Sequence, residues 1–316
     1  MADDLTLVTG AAGFVGGHLI DRLAGRGPLV GWYRPGGMRP APRPQMDWRA
    51  VDVTDGTAVA RAFGDIQPSR VFHLAGAANV ATSWGESGLY LRTNALGTHH
   101  LLRAVRAADH PCRVLVVSSA WIYHVSEKPL DETAPLVPSN PYGLSKLAQD
   151  YLALRAAEDD HLDVVVARPF NHIGPRQTAA YAVSSFARQI ARIEVGLDPA
   201  ELRVGNLEVR RDITDVRDVT AAYERLMHQA VSGRAYNVCS GRAWRMRDLL
   251  DELLHSLLTR VSVTVDPARL RPADVPIAQG DPGRIRAEIG WAPSIPVEQT
   301  IRDMLDWWRT EVRARP

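Results

Sequence analysis

Tyr142 and Lys146 stand in the run Asn140-Pro141-Tyr142-Gly143-Leu144-Ser145-Lys146. Positions i and i+4 share one face of a helix, so a single bound molecule can meet both side chains. A free phenol has a pKa near 10 and is a poor proton donor or acceptor at neutral pH. An ammonium one turn away stabilises the phenolate, and a second cation nearby stabilises it further. Lowering the pKa by about three units takes roughly 4 kcal/mol, which two close cations in a dry cleft supply. Upstream, Val116-Val117-Ser118-Ser119-Ala120-Trp121 closes a strand-like run. A hydroxyl at the C-terminal edge of a parallel strand lies where ligands bind in doubly wound sheets. Ser119 is therefore expected to hydrogen-bond the reacting oxygen beside Tyr142, with a turn cap as its other role. A phenol, a cation that tunes it and a hydroxyl together suit proton transfer to and from a carbonyl or carbinol oxygen.

The molecule that such a site acts with is indicated by Thr9-Gly10-Ala11-Ala12-Gly13-Phe14-Val15-Gly16, between the first strand-like run and the first helical one. Glycines there allow a tight turn, close approach to a pyrophosphate and packing of helix on strand, and the helix N-terminus offers free N–H groups. A glycine triplet alone is a weak signal, and its position between strand and helix strengthens it. Gly10, Gly13, Phe14, Val15 and Gly16 are expected to hold a dinucleotide whose nicotinamide ring is the second cation. Lys146 can also grip the nicotinamide ribose. The second strand ends Gly31-Trp32-Tyr33-Arg34 without an acid. An acid there would take the ribose hydroxyls, whereas an arginine accommodates a 2′-phosphate. Arg34 thus favours NADP(H) over NAD(H).

The elements that must position these groups alternate in the first half. Strands are expected at 5–9, 29–33, 49–51, 71–74, 114–118 and 164–167, and helices at 14–24, 55–63, 88–107 and 142–157. That alternation, with Val/Leu-rich strands, is the pattern of a parallel sheet covered on both faces. The fold class expected is α/β, a Rossmann-type doubly wound parallel sheet, with residues 1–168 as the dinucleotide-binding domain. Residues 169–316 are read as mostly a smaller substrate-binding α/β region, with segments near 209–240 returning to the large sheet. In that half a helix at 246–258, a strand at 261–265 and a final helix at 297–309 are the clearest elements. Residues 34–44, rich in Pro, Gly and Arg, read as a loop.

A formal net charge of +1 gives no pull toward nucleic acid or an acidic membrane surface. No run is apolar enough to span a bilayer, and the acidic start is unlike a secretory signal, so the cytoplasm is expected. Cys112 and Cys239 are expected as reduced thiols. No His/Cys/Asp cluster has metal-ligand spacing, so no metal is expected. Trp307-Trp308 is read as packing rather than a substrate contact.

The Gly-x-x-Gly-x-x-Gly spacing resembles the short-chain dehydrogenase/reductase superfamily. His73-Leu74-Ala75-Gly76, Asn94 in Thr93-Asn94-Ala95-Leu96-Gly97-Thr98, and the Tyr142–Lys146 block resemble its extended, nucleotide-sugar branch. Arg168-Pro169-Phe170-Asn171-His172-Ile173-Gly174-Pro175 narrows this, as do the blocks at 204–218, 236–241 and 271–276. Together they are similar to GDP-4-dehydro-6-deoxy-D-mannose reductases and GDP-mannose 4,6-dehydratases, over essentially the whole chain. The resemblance implies cofactor contacts at Asp52 (adenine), Val53, Leu74, Ala75, Gly76, Asn94 and Pro169. It implies that Asn171 meets the sugar diphosphate, that Arg211 and Arg271 neutralise the pyrophosphate, and that Asn206 lines the nucleotide end. It also implies a homodimer through the tyrosine-bearing helix.

Dehydratases of this group carry a glutamate two residues after the catalytic hydroxyl, where it removes a proton. Here that place holds Trp121, and an indole cannot act as a base. Trp121 is expected as a wall of the substrate pocket. The reading reached is an NADPH-dependent reductase of the 4-keto group of a nucleotide-activated, preferably GDP-activated, 6-deoxyhexose. A nucleotide-sugar 4-epimerase holding NAD is the alternative, ahead of a dehydratase or a non-catalytic dinucleotide-binding protein.

Overall fold

The computed structural model describes residues 4–37, 40–255, 261–270 and 275–315. Its first half runs β1 (Thr6–Thr9), α1 (Phe14–Leu23), β2 (Leu29–Tyr33), β3 (Met46–Ala50), α2 (Gly56–Gly64), β4 (Arg70–His73), α3 (Ser87–Tyr90), α4 (Gly97–Ala107), β5 (Arg113–Val117), α5 (Pro141–Asp159) and β6 (Asp163–Pro169). The second half runs β7 (Asn171–Ile173), α6 (Ala182–Glu194), β8 (Glu201–Val204), β9 (Arg210–Asp215), α7 (Val216–Gln229), β10 (Ala235–Val238), β11 (Ala243–Arg245), α8 (Met246–Leu254), β12 (Ser262–Val265), β13 (Ile277–Ala278), α9 (Gly283–Ile289) and α10 (Val297–Ala314).

Seven parallel strands form the large sheet in the order β10-β6-β5-β4-β1-β2-β3. The order reverses at β1, which opens a crevice beyond the C-terminal ends of β1 and β4. This is the doubly wound sheet that the alternating elements predict. Its strands are buried on both faces: Leu7, Val71, Val114, Val116, Val164 and Val166 face one core with α5, whereas Val8, Phe72, Leu115, Val165 and Ala167 face another with α1 and α7. β9 heads a separate four-stranded sheet, pairing with β7, β11 and β13, while β8 pairs with β12. Of the stretch 209–240, then, α7 and β10 join the large sheet and β9 does not.

Three expectations need correction. The helix expected at 88–107 is interrupted by a π-helical turn at Leu91–Leu96. Such a wide turn admits one extra residue and turns a side chain that the 3.6 period would misplace; here Asn94 is the residue turned inward, with no exposed surface. The third strand starts three residues earlier than expected, at Met46. The helix expected at 246–258 ends at Leu254 with His255 as its C-cap, and 256–258 lie outside the described residues. Both cysteines are free and buried, in different parts of the core, and burial pushes the Cys112 thiol up to about 12. Trp308 packs on α6, its indole N–H donating to Ser184 Oγ at 2.9 Å.

Candidate functional site

The glycine turn leaves β1 in a conformation few residues accept. Gly10 has φ +65°, and a Cβ there would lie 2.8 Å from the Ala75 nitrogen. A Cβ on Gly16 would overlap the Gly10 carbonyl oxygen. Both must be glycine for α1 to start so close to the strand. Gly13 caps α1 with no side-chain hydrogen bond. The first N–H groups of a ten-residue helix thus point toward the crevice without a side-chain partner, beside half-buried Phe14 and Val15.

Four segments close on this turn. Leu74, Ala75 and Gly76 follow β4, with the Ala75 N–H donating to Thr9 Oγ at 3.1 Å. Asn94 grips the next residue from the π turn: its Oδ1 accepts from Ala77 N at 2.8 Å and its Nδ2 donates to Ala77 O at 3.0 Å. The same Nδ2 donates to Ser145 Oγ at 2.8 Å, tying α5 to that loop. Pro169 ends β6, and His172 just beyond it stacks on Phe14 with ring centroids 6.1 Å apart. His18 of α1 bonds the Pro175 carbonyl at 2.9 Å, so the segment bearing Asn171 is fastened to the glycine turn at two points.

Asn140 begins α5 by accepting from Gly143 N at 2.8 Å, with Pro141 in the first turn. Tyr142 follows in the same turn and Lys146 one turn later, 7% and 6% exposed. The Tyr142 ring meets Tyr90 edge-on at 6.2 Å. Ser119 Oγ accepts from Trp121 N at 3.2 Å, capping a short turn, and the Ser119 hydroxyl is close enough to the Tyr142 phenol to draw its pKa down. The Lys146 ammonium donates to Val117 O at 2.7 Å and to Gln149 Oε1 at 2.6 Å.

The electrostatics differ from the simplest expectation for the pair. Burial holds the Tyr142 phenol above its ordinary range, and the Ser119 hydroxyl only partly opposes it. Burial also draws Lys146 down to about 7, against the pull of Asp150. In the protein alone the phenol is therefore protonated, and any further acidification must come from a bound cationic ring.

The remaining expected residues divide. Arg211 reaches the site from β9: it is buried, donates to the Arg210 and Val275 carbonyls at 2.8 and 2.6 Å, and lies 6.0 Å from the Trp121 ring centroid. The neighbouring Asp212 accepts from Ser240, Gly241 and Gly280 and pins two loops around that strand. Asn171 is half-buried on β7. Asn206 is exposed and accepts from Glu208 N at 2.9 Å, a loop turn that leaves it apart from the Tyr142 cluster's bonding. Arg34 is exposed at the end of β2. Asp52 accepts from the backbone N–H and hydroxyl of Thr54, and Asp55, not Asp52, caps α2. Val53 is buried against Gly97. Arg271 lies outside the described residues.

Sequence reasoning missed Gln149, Thr98, His73 and Thr9 behind Lys146, and Asp150 with Arg168 below it. Thr9, His73, Thr98 and Arg168 stand inside the blocks quoted above without a role of their own, and Gln149 and Asp150 follow the lysine by three and four residues on the same helix. As a whole the arrangement offers a backbone cradle for phosphates, a proton on a buried phenol, a hydroxyl beside it and a cation one turn away. The residues fit a dinucleotide.

The family model described as GDP-mannose 4,6 dehydratase matches residues 7–304. The chain is 36% identical to the GDP-6-deoxy-D-mannose reductase of Pseudomonas aeruginosa, over 97% of each. Among solved structures it is similar to that of RMD from Pseudomonas aeruginosa complexed with NADPH, with TM-score 0.84 and 35% identity over 98% of this chain and 99% of that one. It is also similar to a Thermus thermophilus UDP-glucose 4-epimerase complexed with NAD, with TM-score 0.86 and 28% identity over 96% and 99%.

Proposed function

Since the chain belongs to the GDP-mannose 4,6 dehydratase family, we propose that it reduces the 4-keto group of a GDP-4-dehydro-6-deoxyhexose at the expense of NADPH. Bound NADPH supplies the hydride to C4. Tyr142 gives its proton to the C4 oxygen, Ser119 holds that oxygen, and Lys146 steadies the charge that develops and grips the ribose. Arg211 and Arg271 meet the substrate pyrophosphate, with Asn171 beside the sugar diphosphate and Asn206 toward the base. The observation that carries this reading is a buried, protonated phenol close to Ser119, with an indole where dehydration would need a carboxylate. A reductase needs its proton donor loaded at the outset, and burial keeps it so.

The test supplies GDP-mannose together with a separate GDP-mannose 4,6-dehydratase and follows NADPH absorbance. Loss of one NADPH per keto-sugar is expected, and an unchanged absorbance overturns the substrate. The second reading, a 4-epimerase, is favoured by the likeness to the NAD-complexed epimerase. It predicts interconversion of two nucleotide sugars with no net change in cofactor.

The proposed assembly is a homodimer through α5. Leu144 and Tyr151, two turns apart on one face, are 51% and 63% exposed, and Leu91 and Leu96 on the adjoining π turn are also open. An apolar patch of this kind on a soluble enzyme marks an interaction surface. Tyr151→Glu combined with Leu144→Glu is expected to convert a dimer into a 34.7 kDa monomer in light scattering. A monomeric wild-type protein would count against the interface.

A further inference from the structure

Behind the Lys146 ammonium runs a buried chain of polar groups in which each donor has an acceptor. Gln149 accepts from Lys146 through Oε1, and its Nε2 donates to Thr98 Oγ1 at 2.8 Å. Thr98 spends its own proton on the Asn94 carbonyl at 2.6 Å, so its lone pairs are left for two donors. The second donor is His73 Nε2 at 2.9 Å. With the proton on Nε2, His73 Nδ1 accepts from Thr9 Oγ1 at 2.8 Å, and Thr9 in turn accepts the Ala75 N–H. Thr9, His73, Thr98 and Gln149 have no exposed surface.

This order of donors fixes the Gln149 amide. Turned over, it would set an NH2 against an ammonium and a carbonyl against the Thr98 lone pairs. It also fixes His73 as neutral, which burial reinforces by drawing its pKa to about 3. An ammonium on a flexible stem has three donors. With one on Val117 O and one on Gln149, the third has a single direction left.

We propose that Gln149 is a positioning residue: it aims the Lys146 ammonium, and the Thr98–His73–Thr9 chain ties that aim to the glycine turn, which starts at the residue after Thr9. The proposal rests on the dinucleotide reading of the site. Among the described residues, few charged and titratable groups face Lys146. Asp150 and Tyr142 lie on its own helix, and His73 reaches it from β4. Arg168 of β6 neutralises Asp150 from the far side. The π turn contributes the neutral Asn94. The dipole of the residue at 149 is then the lever on the ammonium that a substitution can reverse in sign.

The chain holds two lysines, Lys128 and Lys146, and Lys128 is exposed. Full-length protein labelled with 13C-lysine therefore gives two Cε signals, with Lys128 as internal reference, and the measurement uses no substrate and no turnover. In the wild type the Lys146 signal is expected to titrate well below the ordinary lysine range. Gln149→Glu, which sets a carboxylate on the ammonium, is expected to raise the Lys146 midpoint by about one pH unit. Gln149→Met lowers it and weakens NADPH binding about tenfold by fluorescence titration. Thr98→Val, which does not touch the lysine, moves the midpoint in the same direction as Gln149→Met because the amide loses what orients it. A Lys146 midpoint that stays at the wild-type value in Gln149→Glu and in Thr98→Val overturns the proposal, whether or not the methionine variant folds. A wild-type protein with the expected titration but no NADPH-dependent turnover of the keto-sugar leaves the aiming in place and removes the substrate reading alone.

Discussion

Tyr142→Phe lowers kcat for NADPH-dependent carbonyl reduction by about 10²- to 10⁴-fold, the range that a positioned general acid contributes. The change removes one oxygen. The ring remains, still edge-on to Tyr90 and still packed in a site where Tyr142 is 7% exposed, so the backbone of α5 and the glycine turn keep their places. NADPH affinity should then stay within about threefold of wild type, since the loss concerns a proton delivered in the transition state rather than ground-state binding. Steady-state NADPH oxidation and a fluorescence titration of the cofactor measure the two quantities separately. A kcat loss smaller than tenfold would show that another group supplies the proton. Burial keeps the wild-type phenol protonated throughout the neutral range, so its protonation does not limit activity there.

Asp150→Ala is expected to cost about 3–5 kcal/mol of folding stability, the penalty for stranding a buried charge. Arg168 grips Asp150 with two bonds, Nε to Oδ2 at 2.9 Å and Nη2 to Oδ1 at 2.8 Å, and the side chains are 4% and 1% exposed. Arg168 Nη1 also donates to the Tyr123 hydroxyl at 3.0 Å and to the Glu132 carbonyl. Removing the carboxylate leaves a guanidinium in the interior with the Tyr123 hydroxyl and the Glu132 carbonyl as its hydrogen-bond partners among the described residues. Urea denaturation of Asp150→Ala, Arg168→Met and the double variant separates the pair from its parts. The double variant should regain most of the loss, because two apolar groups need no partner. If the single and double variants lose equal stability, the pair is not the cause.

The residues proposed to do chemistry stand out in the sequence because each sits at a position of the chain that geometry marks. The glycines must lie between a strand and a helix, the hydroxyl at a strand end, and the phenol and ammonium one helical turn apart. The doubly wound sheet was readable for the same reason, since Val/Leu runs alternate with helical periods. What surrounds Lys146 was not. Thr9, His73, Thr98 and Gln149 come from β1, β4, α4 and α5, and no spacing in the chain links them until the sheet order places those elements together. The π turn was hidden because its one-residue shift resembles a plain helix unless Asn94 is known to need burial. The Arg211–Trp121 contact joins β9 to the loop after β5, and only the second sheet brings them within reach. Asp52 illustrates the opposite case, a residue whose loop bonds to Thr54 no motif predicted.

The large sheet is completed late. Its last strand, β10, pairs along β6, and Val219, Ala222, Tyr223, Leu226 and Met227 of α7 cover Val165 and Ala167 on that same strand. A nascent chain that has emerged only as far as β6 therefore shows an open hydrogen-bonding edge and a bare apolar face, the combination most prone to sticking to other chains. Both stay open on the ribosome until Val238 has cleared the exit tunnel. The same late return means that the second half of the chain cannot be exchanged between relatives as a block. Any recombination must carry the stretch from Val216 to Val238 with the sheet it finishes.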